Sequence, residues 1–411
     1  MERFLIDKQS NFYYFKLNNY SKKESEMQYS LNEEQKLLQE TVRRIAKERV
    51  APGALERDEK GEFPWDMVKL LAENGLFGID FPSEYGGSDA GMLAFCVAVE
   101  ELSKADAAVG VLPLIHELGS LPIILAGSKR LKEKYLPSLT AGKALIAFAL
   151  TETIGGSDVA GFKTRAIKDG DSYIINGNKI FISNGGVADL IVVYAVTEPE
   201  KGAYKGASLF VVEKDTPGFK VGKKEDKMGL RASDTREVIF EDCRVPAENL
   251  IGVEGQGFAI TMKTLDMTRP GVGAQAVGIA AGAFEYAKEY AKERIVFGKP
   301  IIKHEGIGFM LADMAIQIEA ARQLVYKAAS SFESAPKDMS KLSKEQILLA
   351  SMSKTFASDV AMKVTTDAVQ VLGGYGYIKE YPVEKMMRDA KITQIYEGTN
   401  QIQRLIIMNN I

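Results

Sequence analysis

Tyr173-Ile174-Ile175-Asn176-Gly177-Asn178-Lys179-Ile180-Phe181-Ile182 is the stretch that divides this chain into parts. Two apolar triplets flank Asn176-Gly177. Both residues tolerate positive φ, so the pair predicts a two-residue hairpin turn. Leu190–Val196, Ala207–Glu213 and Glu237–Glu241 follow as apolar or β-branched runs separated by Gly, Pro and Asp. These runs predict an all-β segment over 146–255.

The texture on either side is helical. Ser30-Leu31-Asn32-Glu33 fits a capping box, in which serine and glutamate satisfy the free amides of a helix start. Leu31, Leu38, Val42, Ile45 and Ala46 then recur near helical spacing. Pro64 suits a helical first turn and Asn74-Gly75 a stop. Met92–Ser103 and Pro122–Leu139 continue the pattern, with Gly and Pro at the breaks, so 30–145 is predicted to be helical. Helical texture returns at Gly257. Ala274–Ile295, Ile307–Ser330, Lys344–Leu372 and Val383–Met408 have long-helix patterns within 256–411, and 331–344 is a polar loop. Residues 1–29 are expected to be a poorly ordered extension. Their alternative reading is translated leader ahead of Met27, and residues 1–26 lack the features of a signal or transit peptide. The order is helices, sheet, helices. No βαβ alternation and no GxGxxG after a strand point to a Rossmann fold.

The 411 residues suggest two or three domains. Composition is 46% hydrophobic and 26% charged, against a disordered or fibrous chain. With 52 basic and 55 acidic residues the net charge is −3, and no like-charge cluster favours nucleic acid. The longest apolar runs are expected to fall short of a membrane span. Two cysteines make no disulfide framework, and two histidines make no His-rich metal site.

Four stretches can carry chemistry. In Ile395-Tyr396-Glu397-Gly398-Thr399-Asn400 a carboxylate sits beside a glycine inside an apolar, helical segment. Walled by apolar groups, that carboxylate would have its pKa raised by desolvation, which suits a general base for a weakly acidic proton. The plainer alternative is a solvated glutamate at a helix end. Thr151-Glu152-Thr153-Ile154-Gly155-Gly156-Ser157-Asp158 is a Gly-rich loop able to offer amides and hydroxyls to a polar cofactor, or a plain connection. Asp266-Met267-Thr268-Arg269-Pro270 holds an arginine that can anchor a phosphate or a carboxylate, or starts a surface helix. Gln370-Val371-Leu372-Gly373-Gly374-Tyr375-Gly376 ends a long helix with more glycine than one C-cap needs.

Taken together these segments resemble the acyl-CoA dehydrogenase family, and most of all its short- and medium-chain, butyryl-CoA dehydrogenase-like branch. The resemblance runs from about residue 30 to 411. It rests on SDVAGFKTRA, ING-K-FISNGG, MGLRASDT, LDMTRPGVGAQAVG, ER-VFGKP, DAVQVLGGYGY, YPVEKMMRDAK and QIYEGTNQIQRLI, in order. It implies an α+β three-domain fold: an N-terminal helical domain, a middle β-barrel or sandwich, and a C-terminal four-helix bundle. It further implies FAD, an acyl-CoA thioester, a homotetramer built as a dimer of dimers, a cytoplasmic location, and electron transfer to electron-transfer flavoprotein. Nucleic-acid, metal and membrane roles are not expected.

The resemblance implies that Glu397 is the base, taking the α-proton while the β-hydrogen leaves as hydride to flavin N5. It also implies that the amide of Glu397 and a ribityl hydroxyl polarise the thioester carbonyl. Phe148, Leu150, Thr151 and Ser157 match the flavin-facing strand and loop, with Ser157 also on the CoA chain. Phe181 and Ser183 match residues against the flavin ring. Leu265, Asp266, Arg269 and Gly398 match substrate-binding positions, the arginine supporting the loop of the base. Arg294, Phe297, Gln370, Gly373 and Gly374 match FAD contacts from a neighbouring subunit, and Thr399 and Gln401 match adenosine-side contacts. A sister branch carries its base where this chain has Thr268, which cannot serve.

The chain departs from the family's TEPGAGSD at Thr153 and Ile154, which changes the backbone preferences of that loop. Leu112–Glu117 falls where the family closes its acyl pocket. It is expected to be a buried helix face with two satisfied polar groups, the alternative being that His116 and Glu117 meet a polar or ring-bearing acyl chain. His304 is read as structural or cofactor-adjacent, Cys96 as a core thiol and Cys243 as a loop-edge thiol. Two other functions stay open: enoyl-CoA reduction in the reverse direction within an anaerobic complex, and a non-catalytic scaffold that binds flavin or acyl-CoA.

Overall fold

The computed structural model describes residues 31–202, 204–333 and 335–411. The extension expected over 1–29 lies outside them, as does Ser30. The first helix, α1 (Glu33–Ile45), is capped instead by Asn32. Its side chain accepts from Gln35 N–H, and the Gln35 side chain accepts from Asn32 N–H in return. The capping box is therefore two residues later than its sequence signature suggested.

Helices α2 (Ala54–Lys60), α3 (Trp65–Glu73), α4 (Gly91–Ala105), α5 (Ala107–Ala126) and α6 (Lys129–Thr140) complete the first helical unit. The helical run expected over Pro122–Leu139 is two helices parted at Gly127-Ser128. Pro113 and Pro122 lie inside α5, so Pro122 does not mark the helix break its residue type suggests. By length and composition α5 could cross a membrane, contrary to expectation, but 94% of its most apolar window is buried inside the fold. It is the central core helix of this unit.

Eight strands follow: β1 (Ile146–Ala149), β2 (Arg165–Asp169), β3 (Ser172–Ser183), β4 (Leu190–Val196), β5 (Ala207–Glu213), β6 (Phe219–Lys224), β7 (Thr235–Pro246) and β8 (Leu250–Ile251). They form one sheet in the order β6-β7-β3-β2-β4-β5-β8, with β1 parallel to β4. Side chains alternate between two cores. Ala147, Ile191, Val193 and Phe210 enter the sheet's own core, whereas Phe148, Val192, Tyr194 and Leu209 face the helices. The expected hairpin at Asn176-Gly177 is not a turn. Both residues lie within β3, at a register shift between Ile175 and Gly177 against β7. The turn falls at Gly170-Asp171, and Gly177 sits where a Cβ would meet Thr164. Cys243, expected at a loop edge, is fully buried in β7, and Cys96 is buried in α4.

The last unit begins with α7 (Gly257–Glu293), 37 residues long. The short strands β9 (Ile295–Val296) and β10 (Lys299–Pro300) lead to α8 (Glu305–Ser331), α9 (Lys344–Leu372), α10 (Val383–Ile392) and α11 (Asn400–Asn410). The single helix expected over Val383–Met408 is thus interrupted between Thr393 and Thr399. A buried ionic clasp ties the three units together. Lys385 on α10 donates to Asp106 at 2.9 Å and Asp389 at 2.6 Å, Arg57 reaches Asp106 at 2.8 Å, and Asp389 accepts from Leu230 N–H at 2.7 Å. Because α10 leads directly into the 393–399 turn, the clasp also orients that turn.

Candidate active site

The α10–α11 connection carries Glu397 in the left-handed region (φ 51°), followed by Gly398 (φ 92°). Left-handed backbone is strained for a non-glycine residue and persists only where the surroundings dictate it. Three groups dictate it here. Thr399 caps α11, its hydroxyl accepting from Ile402 N–H. Gln403 Nε2 donates to the carbonyls of Glu397 and Gly398 at 3.2 and 3.1 Å. Lys354 Nζ, fully buried on α9, donates to Gly398 O at 2.8 Å and Asn400 Oδ1 at 2.9 Å. The Glu397 carboxylate accepts from Thr268 Oγ1 on α7 at 2.6 Å. Burial pushes its pKa up, against the Thr268 hydrogen bond and the charges of Arg269 and Lys354. Glu397 is half-buried and bonded to Thr268, so it is not the freely solvated helix-end glutamate of the plainer reading. Among the described residues its backbone N–H has no acceptor within the chain.

Lys354 pays no exposed surface, and burial lowers its pKa to about 7, opposed by the charge of Glu397. Arg269 is buried within α7, not at a surface helix start, and pairs with Asp266 while its Nε is unpartnered. Leu265 and Asp266 are half-buried on the same helix. Phe148 is buried in β1, and Leu150, Thr151 and Ser183 are half-buried. Ser157 is exposed on a loop whose root is fixed by Glu152, which accepts from Lys163 N–H, Thr164 N–H and the buried Lys179 Nζ at 2.7, 2.9 and 2.8 Å. Phe181 combines positive φ (58°) with 61% exposure. Gln401 is exposed on the first turn of α11.

A second set lies at the far end of α7. Arg294, Phe297, Gly373 and Gly374 line one cavity of about 760 Å³ with Tyr375 and His304. Gln370 is exposed in the last turn of α9, outside that lining. Phe297 also has positive φ (50°) and is 92% exposed, and Arg294 stacks over Tyr375 at 5.4 Å. Nothing lies within 4 Å of a Cβ built at Gly298, Gly373 or Gly374. A guanidinium, bare glycine backbone and open aromatic faces fit the phosphates and rings of a dinucleotide, so these residues suit FAD. His304 Nε2 donates to Val296 O at 3.1 Å, in keeping with a structural, cofactor-adjacent residue.

Sequence reasoning did not find Lys354, Asn400, Gln403, Glu152 or Lys179, and it treated Thr268 only as a residue unable to act as base. Ser351, Lys354, Thr355 and Ser358 form a polar stripe at helical spacing in α9, and all four are buried. That stripe was the available signal.

Three domain descriptions match the chain: acyl-CoA dehydrogenase N-terminal domain over 32–143, middle domain over 147–243 and C-terminal domain over 255–411. This chain belongs to the acyl-CoA dehydrogenase family. A Clostridium acetobutylicum protein named acyl-CoA dehydrogenase, short-chain specific, is 48% identical over 94% of this chain and 100% of its own length. Butyryl-CoA dehydrogenase from Megasphaera elsdenii superposes with a TM-score of 0.88 at 46% identity, covering 92% of this chain and 98% of that one. A chain from the structure of the electron transferring flavoprotein of Acidaminococcus fermentans, described toward a mechanism of flavin-based electron bifurcation, gives 0.89 at 47% identity over 92% and 98%. The three-domain acyl-CoA dehydrogenase fold, the FAD cofactor and membership among oxidoreductases of CH–CH donors follow. Its relatives include proteins named for short-chain acyl-CoA and for butyryl-CoA.

Proposed function

We propose that this enzyme dehydrogenates a short- or medium-chain acyl-CoA to the trans-2-enoyl-CoA, with Glu397 as the base and electron-transfer flavoprotein as the acceptor. The observation that carries the reading is the Glu397 carboxylate, lifted by burial yet kept ionisable by the 2.6 Å Thr268 bond and two nearby cations. A base of raised pKa is better matched to an α-proton than an ordinary carboxylate. The free Glu397 N–H would serve to receive the thioester carbonyl and stabilise charge developing on its oxygen. Gly398 supplies the close approach that this requires. Leu265, Asp266 and Arg269 line the substrate side, and Ser157 meets the CoA chain.

FAD supplies the two-electron acceptor for the β-hydrogen. Phe148, Leu150, Thr151, Ser157, Phe181 and Ser183 hold it from its own subunit, with Thr399 and Gln401 on the adenosine side. Arg294, Phe297, Gln370, Gly373 and Gly374 reach it from a neighbour in a homotetramer, a dimer of dimers. The exposed Phe297 and the open cavity beside it support that arrangement. Domain limits of 30–145, 146–255 and 256–411 and a cytoplasmic location accompany the proposal.

Glu397→Gln should leave the protein yellow and abolish anaerobic flavin bleaching by acyl-CoA. Bleaching at the wild-type rate would remove Glu397 from the role. The likeness to a chain described with electron bifurcation favours one second reading, enoyl-CoA reduction. It is distinguished by whether reduced enzyme is reoxidised by enoyl-CoA faster than by electron-transfer flavoprotein.

A further inference from the structure

In the middle of the buried helix α5 stands a carboxyl group that the fold does not answer. Glu117 is 3% exposed, and neither of its oxygens has a hydrogen-bond partner among the described residues. Its neighbour His116 does not supply one. His116 donates to Leu139 O at 2.9 Å and packs on Phe77, and burial lowers its pKa to about 4. Lys337 is engaged by Asp80 at 2.9 Å and Asp89 at 3.0 Å. The expected pair of satisfied polar groups is therefore not found: His116 keeps a partner at Nε2 but none at Nδ1, and Glu117 has none at either oxygen. Burial, helped by the charges of Asp80 and Glu397, holds Glu117 well above the usual carboxylate range. Burial without a partner favours its neutral form, which has one donor and acceptor sites unanswered by the fold.

Helix α7 fixes where this acid points. Thr268 reaches Glu397 from one face of α7, and residues three apart share a face. The next residue on that face is Gly271. A Cβ built there would lie 2.7 Å from Leu114, 3.1 Å from Phe95 and 3.8 Å from Glu117 Oε2. Glu397 thus meets α7 at Thr268 and Glu117 meets it at Gly271, positions about 5 Å apart along the axis, with Leu114 and Phe95 packed on the glycine beside Glu117.

We propose that Glu117 is a specificity-determining residue whose carboxyl group receives an uncharged oxygen, a hydroxyl or carbonyl, on the acyl chain beyond the β carbon. The proposal rests on the reading of Glu397 as the base. An alkyl chain would leave a buried donor and acceptor unanswered, and a site built around such groups discriminates strongly against a substrate that cannot pair with them. A carboxylate on the chain would meet two carboxyl groups and is disfavoured.

The test uses isosteric pairs, 5-hydroxyvaleryl-CoA against hexanoyl-CoA and 4-hydroxybutyryl-CoA against valeryl-CoA. Anaerobic flavin bleaching by holoenzyme is followed over a range of concentrations in wild type, Glu117→Gln and Glu117→Leu. Wild type should favour the hydroxyacyl member by at least about tenfold in the second-order rate constant. Glu117→Gln, which keeps a donor and an acceptor, should retain the preference, and Glu117→Leu should reverse it. An equal ratio in wild type and Glu117→Leu would overturn the proposal. Should the leucine variant lose FAD, the wild-type ratio decides alone, and a value at or below one overturns it. If plain alkyl thioesters bleach the wild-type flavin with no hydroxyl preference, only the role of Glu117 fails. If no acyl-CoA bleaches it, the dehydrogenase reading fails.

Discussion

Glu397 sits in an electrostatic balance that two side chains adjust. The Thr268 hydroxyl donates to the ionised carboxylate, and the Lys354 ammonium favours ionisation by its charge. Removing either raises the Glu397 pKa, so the ionised base forms only at higher pH. In Thr268→Val the acid limb of the second-order bleaching rate should move upward by about one pH unit, because a bond to a charged group is worth roughly 1.5–3 kcal/mol and each unit is 1.36 kcal/mol. Lys354→Met should shift the limb the same way. Its effect belongs below about pH 7, where Lys354 carries its charge, and Lys354→Arg should recover part of it. An unmoved limb in both variants would mean that these contacts serve only the fold. Glu397 stood out in the sequence because a glutamate–glycine pair breaks an apolar helix, but that pattern left a solvated glutamate open as well, and the assignment as base came from the family resemblance. Thr268 and Lys354 were not, because each meets the turn through a contact that only the packing of α7, α9 and the α10–α11 turn creates.

Among the elements, strong local patterns carried through and local turn chemistry did not always. The runs Leu190–Val196, Ala207–Glu213 and Lys344–Leu372 coincide with β4, β5 and α9. Asn176-Gly177 misled because the same backbone freedom that makes a hairpin turn also permits a bulge, and pairing with β7 continues past it. Proline misled in α5, where buried neighbours on all sides outweigh the lost amide bond. The bulge should be intolerant of a side chain. Gly177→Val places a Cβ against Thr164 and forces a β-branched residue to φ 149°, so it should destabilise the sheet by about 1–3 kcal/mol, read as a lower melting temperature with FAD bound. A melting temperature equal to wild type would show that the strand shifts to accommodate it.

At the scale of the molecule, the helix–sheet–helix order follows from periodicity alone, whereas the clasp around Lys385 does not. Asp106, Lys385 and Asp389 come from an interhelix junction and a late helix, and no spacing in the sequence announces that they meet. Helix α7 has a further significance. It carries Thr268 beside the candidate base and ends at Arg294 beside the outer cavity, 26 residues and roughly 39 Å away. In the proposed tetramer one rod therefore serves two different catalytic centres, its own and a neighbour's. Two dead enzymes should then revive each other. Glu397→Gln and Arg294→Ala subunits, inactive apart, should regain bleaching when unfolded together and reassembled. In the hybrid an intact base would borrow its arginine from the other parent. Failure of mixed tetramers to gain activity over the separate parents would place both ends of the helix in service of a single centre.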